Sequence, residues 1–257
     1  MTDNFDGIPP SEDASESALP QSEIARIASQ LKGLITPERK DDAQEYREDL
    51  VGALAQLTIA LKEYLKECDT IIVDEAHGHI PGLLVWDIAK KIRRREGKEL
   101  PHIHFIVGST TLEDGSAKRE SLIRKAYGRG EIGSEILIVT EQARSGETAT
   151  GLGNAIVKGA ETAHKERPRV SIASVSISTH AGKLIRESNY KWYYGSRGAV
   201  GSQAFHQDPV TSIGYSDHSA YPRKLSPEAE GADAQTTYTD VAMLVEEFEK
   251  LGLLRAR

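Results

Sequence analysis

Along the middle of the chain, short continuous apolar runs alternate with stretches whose apolar residues recur every three or four positions. Residues 70–73 (TIIV), 102–107 (HIHFIV) and 136–139 (ILIV) are runs of the first kind, as expected of strands buried on both faces. Residues 170–177 (VSIASVSI) alternate and predict a fourth strand, and residues 191–194 (KWYY) a fifth. Residues 81–94 place Leu84, Val85, Ile88, Ala89 and Ile92 on one helical face. Residues 149–163 do the same with Leu152, Ala155, Ile156 and Ala160. Residues 110–135 are polar, contain glycine, are basic in their middle and show no clear period.

Strands alternating with helices predict βαβ units, so the expected class is α/β: a Rossmann-like parallel sheet with helices on both faces. Before it, Ser22 can cap a short helix carrying Ile24, Ile27, Ala28 and Leu31. A longer helix is expected from about 41 to 67, with Leu50, Val51, Leu54, Leu57, Thr58, Leu61, Tyr64 and Leu65 in one stripe. After Gly198 the pattern fades into a loop-like segment with Pro209, Pro222 and Pro227. A last helix over 240–251 shows Val241, Leu244, Val245, Phe248 and Leu251 on one side. The expected organisation is a disordered tail (1–21), N-terminal helices (22–67), the α/β core (68–198) and a C-terminal extension ending in a helix (199–257).

Composition narrows the function classes. Of the 257 residues, 39% are hydrophobic and 28% charged, which suits a packed soluble core, and the net charge of −7 argues against a nucleic-acid polymer as partner. The one cysteine, Cys68, cannot form an internal disulfide or a multi-cysteine zinc site. Its neighbours Glu67 and Asp69 disfavour a thiolate. No apolar run approaches the roughly 20 residues of a membrane span and no secretory signal opens the chain, so the expected location is cytoplasmic.

The first strand runs into Asp74-Glu75-Ala76-His77, which reads like the acidic strand end of a helicase ATPase. That chemistry also needs a GxxxxGK[ST] phosphate cradle, and the sequence has none. The three glycines before Thr70 (Gly7, Gly33 and Gly52) lie in no such motif, and Gly182-Lys183 is followed by Leu184. An ATPase is therefore not expected.

A better phosphate site is ILIVTEQARSGETATG, residues 136–151. A buried strand leads through Thr140 and Glu141 to Ser145-Gly146-Glu147-Thr148 and into a helix. Glycine allows close backbone approach, the first helical N–H groups lack internal partners, and the helix dipole favours an anion there. An ordinary Ser- or Thr-capped turn is the alternative from these residues alone.

The pattern resembles the loop that binds phosphoribosyl pyrophosphate (PRPP) in type I phosphoribosyltransferases: four hydrophobics, two acids, three variable residues, then Thr/Ser-Gly-x-Thr. Ile136 to Val139 match the hydrophobics, and Thr140 and Glu141 occupy the acidic positions. Gln142, Ala143 and Arg144 are the variable residues, and Ser145 to Thr148 close the loop. The first acid is thus replaced by Thr140, which cannot contribute charge to Mg²⁺ or to a cationic sugar. Arg144 argues against 6-oxopurines, whose enzymes often carry an Asp at that position.

The resemblance extends from about Cys68 to Gly198. It implies that Ala76, His77 and Gly78, after the first strand, grip pyrophosphate. It also implies that the interval with Lys118, Arg119, Arg124, Lys125, Tyr127 and Arg129 is a mobile basic flap. It makes Glu141 the residue near the ribose hydroxyls and the Mg²⁺ ion, and Lys118 and Arg119 catalytic cations. Ala143 to Thr148, including Arg144 and Ser145, would hold the 5′-phosphate, and Trp192 is a base-stacking candidate. The implied reaction is transfer of ribose 5-phosphate from PRPP to a nitrogenous base, assisted by Mg²⁺, with release of pyrophosphate. The helix at 41–67 and the tail after Gly198 are the candidates for a hood that reads the base. A non-catalytic PRPP- or nucleotide-binding regulator of the same fold is the alternative, a Rossmann-like interaction domain a third reading. Homodimerisation is left open. His102 with His104, and Asp74 and Glu75 with His77 and His79, could suggest metal ligands, but no further ligands stand at motif spacing. Ser216-Asp217-His218-Ser219 holds triad letters without a nucleophile elbow.

Overall fold

The computed structural model describes residues 19–32, 43–74, 79–106, 115–143, 145–178, 181–197 and 232–255. Its element order is α1 (Gln21–Ala28), α2 (Ala43–Leu61), α3 (Tyr64–Glu67), β1 (Thr70–Asp74), α4 (His79–Arg95), β2 (His102–Ile106), α5 (Gly115–Gly128), β3 (Glu135–Ala143), α6 (Glu147–Thr162), β4 (Arg169–Ile177), α7 (Ala181–Glu187), β5 (Lys191–Arg197) and α8 (Ala232–Lys250).

The five strands form one all-parallel sheet in the order β2-β1-β3-β4-β5. Helices flank it, so the expected α/β, Rossmann-like class is the observed one. The alternation of strand side chains divides the interior in two. Ile71 and Val73 of β1 join Leu137 and Val139 of β3 in a core shared with α1, α2, α4 and α8. Ile72, Ile136, Ile138 and Ile172 face the other way, into a core with α5 and α6. β1 is buried along its whole length, which is why its sequence shows no polar alternation.

Several helices differ from expectation. The long N-terminal helix is broken after Leu61, and Tyr64 in α3 donates its hydroxyl to the Ile136 carbonyl at 2.8 Å. α4 begins at His79, before Pro81; proline is tolerated in a first turn, where its missing N–H has no helical acceptor. α8 starts eight residues earlier than its apolar stripe suggests. It is held to α1 by Arg26–Glu247 at 2.6 Å and to α4 by the contacts of Glu249 with Lys91 and Arg95.

The largest correction lies between β2 and β3. The interval read as period-free, and by resemblance as a mobile flap, contains the helix α5, packed against α6. Ile123 and Tyr127 lie where a Cβ on Gly159 would stand, at 2.5 and 3.3 Å, so the glycine lets the two helices approach. Tyr127 also reaches the Ile156 carbonyl at 3.3 Å. A second close approach is at Gly195, where helix α2 lies directly on β5: a Cβ there would be 2.0 Å from the Ala53 carbonyl oxygen.

Among the described residues no helix is long and apolar enough to cross a membrane. The expectations for residues 1–18 of the N-terminal tail, for Ala76 to Gly78, for Arg144, for the segment 198–231 and for Ser216 to Ser219 fall outside the described residues, whereas Gln21, expected to close the disordered tail, opens helix α1.

Candidate functional site

The strand order marks where a ligand site is to be sought. The chain leaves β1 in one direction to β2 and later fills the other side with β3, so β1 and β3 flank a topological switch point. Ligands of open α/β sheets bind at the carboxyl ends of such strands. β1 and β3 are the strands that carry the two loops singled out above. Helix α4 follows β1 and belongs to one core, whereas α6 follows β3 and belongs to the other. Two helix N-termini therefore open at this edge, one from each face of the sheet.

The turn into α6 is built around Gly146, its N-cap residue, in the left-handed conformation at φ 82°. That conformation suits glycine and strains residues with a Cβ. Space matters as well: a Cβ would meet Leu184 Cδ2 at 3.2 Å and Trp192 Cη2 at 3.4 Å. Thr150 N–H donates to the Gly146 carbonyl at 3.0 Å, the first bond of the helix, so the amides preceding it lie at the helix's open end. The Glu147 N–H turns back to Ser145 Oγ at 3.3 Å. Ser145, Glu147 and Thr148 are exposed, whereas Gly146 is buried.

β3 continues past the apolar run to Ala143, so Thr140 and Glu141 are strand residues and not loop residues. Only 4% of each is exposed. Strand alternation sends Thr140 to the α6 face and Glu141 to the α4 face. The Glu141 carbonyl accepts a hydrogen bond from Ser174 Oγ at 3.3 Å. Ala143 is buried, and its carbonyl accepts from Ser178 N–H at 3.0 Å.

Lys118 and Arg119 sit in the first turns of α5. Arg119 is buried and its Nη1 lies 3.9 Å from a Cβ built on Gly151, which directs its cation to the second turn of α6. Burial pushes its guanidinium below the ordinary value, and Glu120 offsets part of that effect. Tyr127 is a core residue, and Arg129 pairs with Glu131 at 2.6 Å. The basic interval is thus divided between packing, surface pairing and one buried cation beside α6.

Trp192 is brought to the site, but under the loop: its ring lies against Gly146 and its Nε1–H donates to Ser188 Oγ at 3.0 Å. Leu184 on α7 shares that supporting role. From the sequence no helix is expected at α7 and no supporting role for Leu184, although Ala181, Leu184 and Ile185 have helical spacing. The His102 and His104 rings stack at 6.4 Å between centroids on the edge strand, and His104 Nε2 lies 3.2 Å from the Glu131 carbonyl. Among the described residues no group of three or more His, Cys, Asp or Glu side chains could hold a metal ion. Glu141 alone suits Mg²⁺ only in the usual manner of that ion, which keeps one or two carboxylates and takes its other oxygens from water and substrate phosphates.

Comparisons with protein-family models, with curated proteins and with solved structures return no match for this chain.

Proposed function

We propose that the chain is a type I phosphoribosyltransferase-like protein that binds PRPP and transfers its ribose 5-phosphate to a nitrogenous base. The observation that carries this reading is Gly146. It stands left-handed at the N-cap of the 16-residue α6, inside Ser145-Gly146-Glu147-Thr148, at the sheet's switch point. That combination suits an anion at the turn to which the resemblance assigns the 5′-phosphate, and it supports the reading.

In this reading the open end of α6, with the hydroxyls of Ser145 and Thr148, holds the 5′-phosphate. The N-terminus of α4, facing the same edge from the other side, favours the pyrophosphate. Each dipole contributes roughly 0.3–1 kcal/mol toward an anion. Arg119 adds positive potential from behind α6. Glu141 lies near the ribose hydroxyls and near the positive charge that develops on the sugar. The C1′–O bond breaks with its electron pair leaving on pyrophosphate, a base nitrogen lone pair forms the C1′–N bond, and the base's displaced proton passes to solvent. A Mg²⁺ ion arriving with PRPP would be held on the protein side by Glu141 and would supply charge neutralisation of the leaving group. Water exclusion is needed as well, because water can take the place of the base.

Thr140 favours a second reading, a non-catalytic PRPP- or nucleotide-binding regulator, since a neutral hydroxyl stands where the resemblance expects an acid. The two are separated by a pyrophosphate-release screen with PRPP, Mg²⁺ and purine, pyrimidine and pyridine bases. Release that depends on one base class supports the transferase. PRPP binding with no release from any base class supports the regulator.

A further inference from the structure

One row of side chains crosses the whole sheet at its carboxyl edge, on the α5/α6 face. Asp74 pairs in register with Ile106, Thr140 with Ser174, and Ser174 with Tyr194. Asp74 and Thr140 each stand one residue beyond the paired Val73 and Val139, so they are neighbours on adjacent strands. Both follow residues of one face by two positions, Ile72 and Ile138, so their side chains point the same way. Adjacent strands lie about 4.8 Å apart, which brings the two side chains within reach of one group.

We propose that Asp74 supplies to this site the carboxylate that the loop resemblance places at position 140. The charge has moved one strand sideways, from β3 to β1, at the same level and on the same face. The inference rests on the PRPP reading of the site.

Three observations support it. The row beneath runs His104, Ile72, Ile138, Ile172 and Trp192, with branched aliphatic residues on the three central strands, and an aliphatic residue at position 74 would continue that packing on β1. Asp74 is instead an ionisable residue with 3% exposure. A residue that breaks the apolar pattern of its strand in this way is of the kind that concentrates at functional sites. Second, Asp74 ends β1 at the switch point, on the edge toward which both helix N-termini open. Third, an acid at both positions would place two carboxylates side by side in a buried row, where like charges disfavour each other. A neutral residue at 140, such as threonine, avoids that repulsion. On this account Thr140→Asp alone is a loss, not a restoration.

The test is calorimetric titration of PRPP into the wild-type chain, Asp74→Asn, Thr140→Asp and the double variant, each at several Mg²⁺ concentrations, with thermal melts alongside. Loss of one charge-assisted contact predicts that Asp74→Asn weakens Mg²⁺-dependent PRPP binding by about tenfold or more and flattens its dependence on Mg²⁺. Thr140→Asp also binds more weakly than wild type, and the double variant recovers most of the loss. A purely structural Asp74 would not give that recovery. If Asp74→Asn melts early, the decisive pair is Thr140→Asp against the double variant, both of which retain a carboxylate in the row. Wild-type binding with an unchanged Mg²⁺ response in folded Asp74→Asn overturns this inference alone. So does tighter binding by Thr140→Asp than by the double variant. No PRPP binding by the wild-type chain overturns the reading of the site and this inference with it.

Discussion

Trp192 supports Gly146 from below: a Cβ placed on Gly146 would stand 3.4 Å from the indole Cη2, with Leu184 at 3.2 Å on the other side. The turn into α6 is therefore shaped both by a left-handed backbone at φ 82° and by an aromatic floor. Gly146→Ala is expected to destabilise the protein by about 1–2 kcal/mol, chiefly through the strained backbone. Chemical denaturation measures this, and an unchanged midpoint would contradict the description of the loop.

The same contact makes Trp192 a reporter. The chain has two tryptophans, and the other, Trp86, lies on the α4 side with Lys90 over its ring. In a Trp86→Phe variant the remaining emission comes from Trp192. Phosphate or PRPP at the loop is expected to shift that emission saturably, and Gly146→Ala to remove the shift. An emission unaffected by either ligand at saturating concentration would count against an anion at Gly146.

Gly195 tests the fold independently of the ligand. An added methyl group would meet the Ala53 carbonyl oxygen at 2.0 Å and the Val175 carbonyl oxygen at 2.8 Å, so backbone and not a side-chain tip must move. Gly195→Ala should cost about 3 kcal/mol. Gly128→Ala, at the end of α5 with nothing within 4 Å, should be neutral or stabilise by up to about 1 kcal/mol. Denaturant melts of the two variants give the contrast, and equal midpoints would contradict the α2–β5 packing.

Cys68 gives a pH signature. Its thiol is fully buried, with Sγ 3.3 Å from the Thr70 carbonyl, and burial, reinforced by Asp69, pushes its pKa up to about 12. An unfolded thiol titrates near about 8.5. Between those values the folded protein keeps a proton that the unfolded chain releases, so stability falls as pH rises through that window. Cys68→Ala should flatten the alkaline part of the stability profile. The native thiol should resist an aromatic disulfide reagent at pH 8 and react in denaturant. Rapid modification of the native protein would contradict its burial.

The parts of the fold that could be read from the sequence are those whose physics is local. β1 and β3 appear as continuous apolar runs because both sheet faces cover them, and α4 and α6 as stripes because each faces one core. α5 escaped because its buried residues Ile123, Ala126 and Tyr127 are few and stand among Lys118, Arg119, Arg124 and Lys125. The strand character of Thr140 to Ala143 escaped because polar residues there are buried by the neighbouring strands and not by their own hydrophobicity. The Ser145-Gly146-Glu147-Thr148 turn was legible because its glycine is required by backbone conformation. The nearness of Asp74 to Thr140 was not, since only the sheet register, which pairs Val73 with Val139 one residue earlier, brings those positions together.

The most direct measurement of the central claim is calorimetry of PRPP with Mg²⁺ on the wild-type chain and on Gly146→Ala. The account predicts saturable one-site binding by the wild type and loss of about tenfold or more in affinity for a folded Gly146→Ala. Absence of PRPP binding to the folded wild-type protein, or equal affinity in the two, would contradict it.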